Sequence, residues 1–318
     1  MNKKKSFRIN IVFFVLFFFT RSLLSDSSVV GVMPFEGDDK KAGEQAAAFV
    51  LTNLSSKKKF KFVEKGQLTK ALNEITMTKS GIVKEDEMLE LGKIHGASYL
   101  ILGEVRKEKS IKELYFVSAR LIKTETGNVI GANQSSCEVL AKCSEKIANT
   151  LDELLSVVLL FENPDSPYII KLKLDKGKNP TYKIKEKVKL TFRVESKDAS
   201  ISNCYIKIFS VDKNGSISQI YPNKFSAQKS IALNKDYTFP EEDDDFEWEV
   251  TAPTGYEYIQ AITSGKEAEF SSEKEKSDEI FRSVGKGELK IFRGIKTVIK
   301  KEKLKDFSAE RVMFQVVE

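Results

Sequence analysis

A chain of 318 residues, of which 41% are hydrophobic and 31% charged, is long enough for about two domains and too apolar to be disordered as a whole. Five of its six net positive charges lie in the first 25 residues, on Lys3, Lys4, Lys5, Arg8 and Arg21. The rest of the chain has no excess of basic residues that would favour a nucleic-acid backbone. We therefore expect no nucleic acid among its partners.

Residues 1–25 are predicted to be a signal peptide. MNKKKSFR is a basic start, INIVFFVLFFFT is an apolar stretch of suitable length, and small residues follow in SLLSDSS. The apolar stretch is shorter than the roughly 20 residues of a membrane-spanning helix. We expect export and cleavage after Ser25, with an uncleaved anchor as the alternative. No cysteine lies near this site to carry a lipid.

Strands and helices alternate over residues 26–161, which predicts an α/β domain on a layered, mixed sheet. In chain order the predicted elements are a strand at Ser28–Phe35, a helix at Ala42–Leu54, a strand at Lys59–Lys65, helices at Gln67–Met77 and Lys84–Ile94, strands at Tyr99–Leu102 and Glu113–Ile122, a further strand after a turn at Gly127, and a long helix to about Phe161.

The segment Glu162–Pro167, with two prolines, is the predicted boundary to a second domain over residues 162–318. Beyond it the apolar period changes to two, and short strands separated by turns predict a mostly antiparallel β-sandwich. Asn214-Gly215 indicates a hairpin, and the alternation in FEWEV predicts a strand at Phe246–Val250. Ser271–Glu279 is expected to be a charged, mobile loop. AERVMFQVV is expected to form a last strand or a helix–strand pair.

Three glycines in LGKIHGASYLILGEV raise the question of a ligand cradle. A phosphate binds at the N-terminal end of a helix, whereas Gly92 and Gly96 close a helix before a strand. The pattern therefore predicts a structural junction: a helix end, then a buried strand at Tyr99–Leu102, whose apolar run ends at Gly103.

The first domain resembles CsgG-like envelope proteins. VVGVMPFEG, FKFVEKGQLTKALNE, ELGKIHGASYLILGEV and ARLIKTETGNVIGA occur in the order seen in that family. The same core, roughly Val29 to Ala132, is similar to the N-terminal domain of TolB and to the lipoprotein activators of penicillin-binding proteins. The resemblance implies an α/β fold in which Gly92 and Gly96 let the helix pack closely and turn.

The second domain resembles domain of unknown function 4384 through YKIKEKVKLTFRVES, CYIKIFSVDKNGSISQIYPN and FPEEDDDFEWEVTAPTGYEYIQAI. This resemblance implies an exported β-domain.

CsgG itself is a lipid-anchored secretion channel, and this chain departs from that pattern. A channel wall needs membrane-crossing strands of about 9–11 residues. The connection between Val105 and Leu114 is short and charged, the segment after Phe35 is also short, and the acylated cysteine is missing. We therefore expect this chain to have the CsgG-like fold but not to form a secretion channel.

The sequence offers no catalytic, cofactor-binding or metal-ligating residues that we would nominate. His95, the one histidine, is expected to be a helix cap or a half-buried packing residue. The acidic run Glu241–Glu249 lacks the spacing of a calcium loop and is expected to be a solvated turn. Cys143 falls on the apolar stripe of the long helix, which favours a core residue, and a Cys137–Cys143 disulfide is the alternative.

Together these features predict a non-catalytic protein of the bacterial cell envelope. It is expected in the periplasm, either free or associated with the outer membrane, where it acts by binding envelope proteins or copies of itself. Membrane contact is expected to be peripheral or through an uncleaved N-terminal segment. The alternatives are an accessory of outer-membrane secretion or assembly, a regulator of peptidoglycan synthesis, and an enzyme, the last only if His95 lies in an open cleft beside a nucleophile or a carboxylate pair.

Overall fold

The computed structural model describes residues 28–318 except 65, 67, 69–84, 110–112, 226–229, 268–281, 287–290, 293–294, 296–298 and 300–303. The predicted signal peptide, the predicted helix Gln67–Met77 apart from Leu68, and the predicted loop Ser271–Glu279 lie outside these residues. Among the helices that are described, none has the length and apolar character needed to span a membrane.

Residues 28–161, which we call the α/β part, form one mixed sheet with helices. The elements are β1 Val29–Val32, β2 Glu36–Gly37, α1 Lys40–Ser56, β3 Lys61–Phe62, α2 Glu85–Ile94, β4 Tyr99–Lys109, β5 Glu113–Lys123, β6 Val129–Cys137 and α3 Leu140–Leu160. The strand order of this first sheet is β3-β1-β4-β5-β6, and β2 also pairs with β4. Strand β1 is parallel to β3 and β4, whereas β4, β5 and β6 form an antiparallel meander. The prediction of a mixed α/β sheet is confirmed.

Helix α1 begins where the sequence supplies a cap and packs closely on the chain before it. The Asp39 carboxylate accepts from the backbone N–H groups of Lys41 and Ala42, at 2.9 and 3.2 Å, and so satisfies two of the helix's free donors. A Cβ at Gly43 would lie 2.0 Å from the carbonyl oxygen of Phe35. Only glycine lets the first turn of α1 lie so close to the main chain of Phe35.

Helix α2 ends in a Schellman motif that explains two of the three glycines. The N–H of Gly96 donates to Lys93 O at 3.0 Å and the N–H of Ala97 donates to Gly92 O at 2.8 Å. Gly96 has φ +71°, the left-handed conformation that the motif requires. A Cβ at Gly92 would lie 2.7 Å from the Leu100 side chain. The interpretation of this junction as a helix end packed on a buried strand is confirmed.

Strand β4 is longer than the predicted buried strand at Tyr99–Leu102. The strand continues to Lys109 and pairs along its whole length with β5, which begins at Glu113. Gly103 serves packing instead, because a Cβ there would lie 2.5 Å from the ring of Phe35. The charged residues after Gly103 are therefore strand residues, and the connection is shorter than the sequence suggested.

Residues 162–318, which we call the β part, form two facing sheets. The strands described are β7 Tyr168–Leu174, β8 Thr181–Lys183, β9 Leu190–Ser196, β10 Asn203–Val211, β11 Ser216–Tyr221, β12 Ser230–Ala232, β13 Tyr237–Phe239, β14 Gly255–Ser264, β15 Arg282–Lys286 and β16 Ser308–Val317. The second sheet has the order β15-β11-β10-β14-β16-β8 with β12 on β10, and the third has the order β13-β9-β7. A hydrophobic cluster that includes Phe192, Trp248 and Phe314 draws side chains from both sheets. The predicted sandwich, the hairpin at Asn214-Gly215 and the last strand are confirmed.

The predicted strand at Phe246–Val250 is wrong. This segment is extended but makes a single bridge, between Lys187 and Glu249. Apolar and charged residues alternate in this segment because its apolar side chains face the core: Trp248 and Val250 are buried in the sandwich. The main chain is held by individual hydrogen bonds, among them Val188 N–H to Trp248 O at 2.9 Å, and within the described residues no neighbouring strand continues the ladder.

The two parts share a hydrophobic core. One cluster contains residues of the first sheet, α1 and α3 together with residues of the second sheet. Phe292 lies between Phe161 and Phe209, with ring centroids 5.6 and 6.1 Å away. At the sheet edge, the Tyr258 hydroxyl donates to Ala132 O at 3.3 Å and accepts from Ala132 N–H at 3.5 Å. The α/β part is thus packed against the β part, and the division at residue 161 stays a prediction.

Cys137 and Cys143 form a disulfide, with Cα atoms 5.5 Å apart. The expectation that Cys143 lies in the core is right, since it is fully buried, but treating burial as an argument against a bridge is wrong. Cys137 ends β6 and Cys143 lies in the first turn of α3, so the short turn between them brings the two together. Cys204 is free and buried, and burial raises the pKa of its thiol to about 11.

Candidate functional site

A cavity of about 750 Å³ lies where the α/β part meets the β part. We call it the junction cavity. Its walls come from the turn after α2, the end of β5, the end of α3 and the beginning of β16. Its size is within the range of small-molecule sites, which favour such boundaries between packed units.

One wall of the junction cavity carries a hydrogen-bonded carboxylate. The Tyr99 hydroxyl donates to Glu162 Oε1 at 2.8 Å, and the Ser28 hydroxyl donates to the same oxygen. Tyr99 is buried. Burial, followed by the negative charge of Glu162, raises the pKa of the Tyr99 hydroxyl well above its usual range. The hydroxyl therefore stays protonated and donates a hydrogen bond to the carboxylate.

Another part of the wall carries charged residues of β16, Glu310 and Arg311, that are almost fully buried. Lys123 Nζ lies 2.6 Å from Glu310 Oε2, and this ion pair joins β5 to β16. Arg311 Nε donates to Gln260 Oε1 at 3.0 Å, and its guanidinium lies 5.0 Å from the centre of the Tyr258 ring. A buried charge is costly unless it is paired, and Lys123 and Glu310 meet this condition by pairing with each other.

A second surface of interest is the open face of the first sheet. Helices α1 and α3 cover the face that carries Gly103 and Gly131. The register places Arg106, Phe116 and Ser136 side by side on the other face. Phe116 is 41% exposed there, although it is a large apolar residue in a strand. We call this the open face.

The residues that the sequence singled out make no site in the described part of the chain. His95 is half-buried at the C-terminal end of α2 and donates its backbone N–H to Leu91 O. The residues Glu241–Asp245 lie in an exposed or half-exposed turn. No group of three His, Cys, Asp or Glu residues capable of holding a metal ion occurs within the described residues.

Sequence reasoning missed the junction cavity. Glu162 was interpreted only as part of a boundary, and Lys123 and Glu310, which are 187 residues apart in the chain, were two of many surface charges. Only the packing of β16 against the α/β part brings them together. No local pattern marks such residues.

Two sequence families match this chain. Residues 23–112 match the family described as curli production assembly/transport component CsgG. Residues 181–267 match the domain of unknown function DUF4384. The matches occur in the order that the motifs predicted, so that recognition is confirmed. A search of curated proteins found no match.

Several solved structures are similar to part of the chain, and each of the following covers 35% of it. The C-terminal domain of LpoB from Salmonella enterica is 15% identical, with 82% of that chain covered and a TM-score of 0.28. Lipoprotein GNA1162 from Neisseria meningitidis is 18% identical, with 79% covered and a TM-score of 0.26. The hypothetical protein CT253 from Chlamydia trachomatis is 12% identical, with 70% covered and a TM-score of 0.23.

Proposed function

We propose that this chain is an exported, non-catalytic protein of the bacterial cell envelope that acts by binding other proteins. The CsgG match followed by the DUF4384 match supports an envelope protein, and the basic and apolar start of the sequence supports export. Its location is the periplasm, with contact to the outer membrane that is peripheral.

The open face is the surface that we assign to protein binding, and the exposure of Phe116 is the observation that carries this assignment. An exposed aromatic residue in a central strand has little role in folding, whereas aromatic residues are enriched at the centres of protein interfaces. Phe116 lies between Arg106 and Ser136 in the register, so a hydrophobic anchor is flanked by polar groups. Such a surface fits a protein partner better than a small substrate.

Site-specific photo-crosslinking in the native host tests this assignment. A photoreactive phenylalanine analogue replaces Phe116 in one variant and Phe49 in a matched control. Phe49 has nearly the same exposure, 40%, but lies on α1, on the other side of the sheet. We expect a discrete adduct from position 116 and none from position 49. Equal crosslinking at both positions, or none at either, would contradict the assignment.

The identity of the adduct separates the candidate partners. An adduct with a second copy of this chain would indicate self-association through the open face. A partner from a secretion complex would favour the alternative that the CsgG match suggests, an accessory of outer-membrane secretion or assembly. A penicillin-binding protein in the adduct would instead favour a regulator of peptidoglycan synthesis.

Fractionation of the same host tests the proposed location. We expect a soluble periplasmic species whose intact mass corresponds to cleavage after Ser25. A species of full mass that resists carbonate washing of the membranes would show that the apolar N-terminal segment is kept as an anchor.

A further inference from the structure

A second cavity, of about 950 Å³, lies where β6 and α3 meet the β part. We call it the edge groove. One wall comes from residues 132–134 of β6 and from α3, and the other comes from the turn between β10 and β11, the beginning of β14 and the end of β16. Its volume is near the upper limit of small-molecule sites, so it has room for a ligand of several units.

Neutral polar side chains of the edge groove have unused hydrogen-bonding capacity. Gln134 on β6 and Gln315 on β16 both line it, and neither side-chain amide makes a hydrogen bond within the described part of the chain. The same holds for the Tyr256 hydroxyl and for the side-chain amide of Asn214 in the turn. An amide donates and accepts, and so does a phenol. The groove therefore offers donors and acceptors together.

Apolar surface lies beside these polar groups. Tyr256 is the cross-strand neighbour of Gln315, so a phenol ring and an amide lie side by side on the face of the second sheet that carries Tyr258. Leu154 and Val157 of α3 add to the apolar part of the lining. A sugar ring has the same division, with an apolar C–H face and a rim of hydroxyl groups. It can pack on a tyrosine ring while its hydroxyl groups bond to amides.

The charged residues of the lining decide between neutral and acidic sugars. They are three carboxylates and one cation: Glu153, Asp212, Glu318 and Lys213. Asp212 Oδ1 is committed to the turn, where it accepts from two backbone N–H groups at 2.8 Å, and the other three residues are exposed. Exposed charges are screened by salt, so recognition falls to the neutral groups. The excess of carboxylates disfavours an acidic sugar.

An extended peptide is the other ligand that a groove beside a strand edge could take. Such a peptide pairs with free N–H and C=O groups of the edge strand. On β6, however, the N–H and C=O of Ala132 are bonded to the Tyr258 hydroxyl, and the N–H of Gln134 is bonded to Asn133 Oδ1 at 2.8 Å. The ladder that a peptide needs is therefore interrupted, whereas the side chains stay available.

We propose that the edge groove binds a neutral oligosaccharide. One sugar ring packs on Tyr256, and its hydroxyl groups bond to the amides of Gln134 and Gln315. This inference does not rest on the protein binding assigned to the open face, because Phe116 does not line the groove. Crosslinking from position 116 and sugar binding test different surfaces, and either can fail without the other.

Calorimetric titration of the full chain with neutral tetrasaccharides tests the proposal. The probes are cellotetraose, maltotetraose and tetra-N-acetylchitotetraose, which distinguish a β-linked glucan, an α-linked glucan and an N-acetylated chain as the source. Tetragalacturonic acid is the acidic control, and an eight-residue Gly-Ser peptide is the control for an extended backbone. We expect at least one neutral tetrasaccharide to give saturable heat and to bind more tightly than both controls. If none of the three binds, or if either control binds as tightly as the best of them, the proposal is wrong.

Variants locate the binding. Gln315→Ala removes one amide from the groove, and we expect roughly 3- to 10-fold weaker binding of the tetrasaccharide. Gln134→Ala, in an exposed residue, carries the same expectation and keeps the test decisive if Gln315→Ala does not fold. Gln45→Ala, in an exposed glutamine of α1 that does not line the groove, is the matched control and should bind as the unchanged protein does. Unchanged affinity in the groove variants, or an equal loss in the control, would overturn the assignment.

Discussion

Glu257 makes the stability of this protein depend on pH in a predictable direction. Glu257 lies on the same face of β14 as the buried Ile259 and Ala261, and its cross-strand neighbour is Phe314. Burial, followed by the negative charge of Asp212, raises the pKa of the Glu257 carboxyl from 4.5 to about 7. The folded protein therefore prefers the protonated form of this group more strongly than the unfolded chain does.

The sign and size of the effect follow from linkage. Because the folded pKa lies above the unfolded value, the stabilisation is complete below about pH 4.5 and is lost as the pH rises through about 7. Each pKa unit corresponds to about 1.4 kcal/mol, and the side chain keeps some exposure, so we expect a loss of roughly 2–3 kcal/mol. Glu186 and Glu195 have lowered pKa values. Their contribution to stability is lost only as the pH falls below about 4.5, so it does not change between pH 5 and pH 8.

Urea unfolding of the unchanged protein and of Glu257→Gln near pH 5 and near pH 8 measures this loss. The fluorescence of Trp248, the one tryptophan of the chain, reports on the sandwich core in which it is buried. We expect the unchanged protein to lose stability between the two pH values and Glu257→Gln to lose much less. Glu242→Gln, in an exposed residue, is the control and should behave as the unchanged protein does. A parallel loss in all three proteins would refute the reasoning.

Two further predictions concern the α/β part. Gly43→Ala should lower the free energy of unfolding by roughly 1–3 kcal/mol, because its Cβ would lie 2.0 Å from Phe35 O; Gly66→Ala, whose Cβ would meet nothing within 4 Å, is the control, and an equal effect in both would contradict the explanation. Reduction of the Cys137–Cys143 disulfide should cost about 2 kcal/mol, because the bridge closes a short loop in the unfolded chain. Urea midpoints with and without reductant measure this cost, and a midpoint that reductant leaves unchanged would argue against it.

Local signals in the sequence predicted most of the α/β part. The apolar face of α1, the alternation in β5 and the glycine that ends α2 each depend on residues a few positions apart. Short stretches of the sequence are therefore enough to predict them. Gly103 shows where this fails: whether a glycine breaks a strand or makes room for a ring depends on Phe35, which lies in a different element.

The candidate sites could be predicted far less well. Phe116 belongs to a strand that the alternation predicted, but its exposure depends on which face the helices cover. The junction cavity needs β16, at the far end of the chain, to reach Lys123. The exposure of Phe116 and the junction cavity both result from tertiary packing, and no short stretch of the sequence predicts either of them.

The contact of Tyr258 with the edge of β6 has a consequence for dividing the chain. The two family matches cover residues 23–112 and 181–267. Tyr258, in the second match, hydrogen-bonds to the backbone of Ala132, which lies in the α/β part beyond the first match, and Phe161 of the α/β part packs on Phe292 of the β part. A fragment ending at residue 161 would carry an unprotected strand edge beside exposed apolar side chains, which is a template for pairing with other copies of the fragment. The β part covers this edge in the whole chain, so we expect the whole chain to aggregate less than a fragment that ends at residue 161.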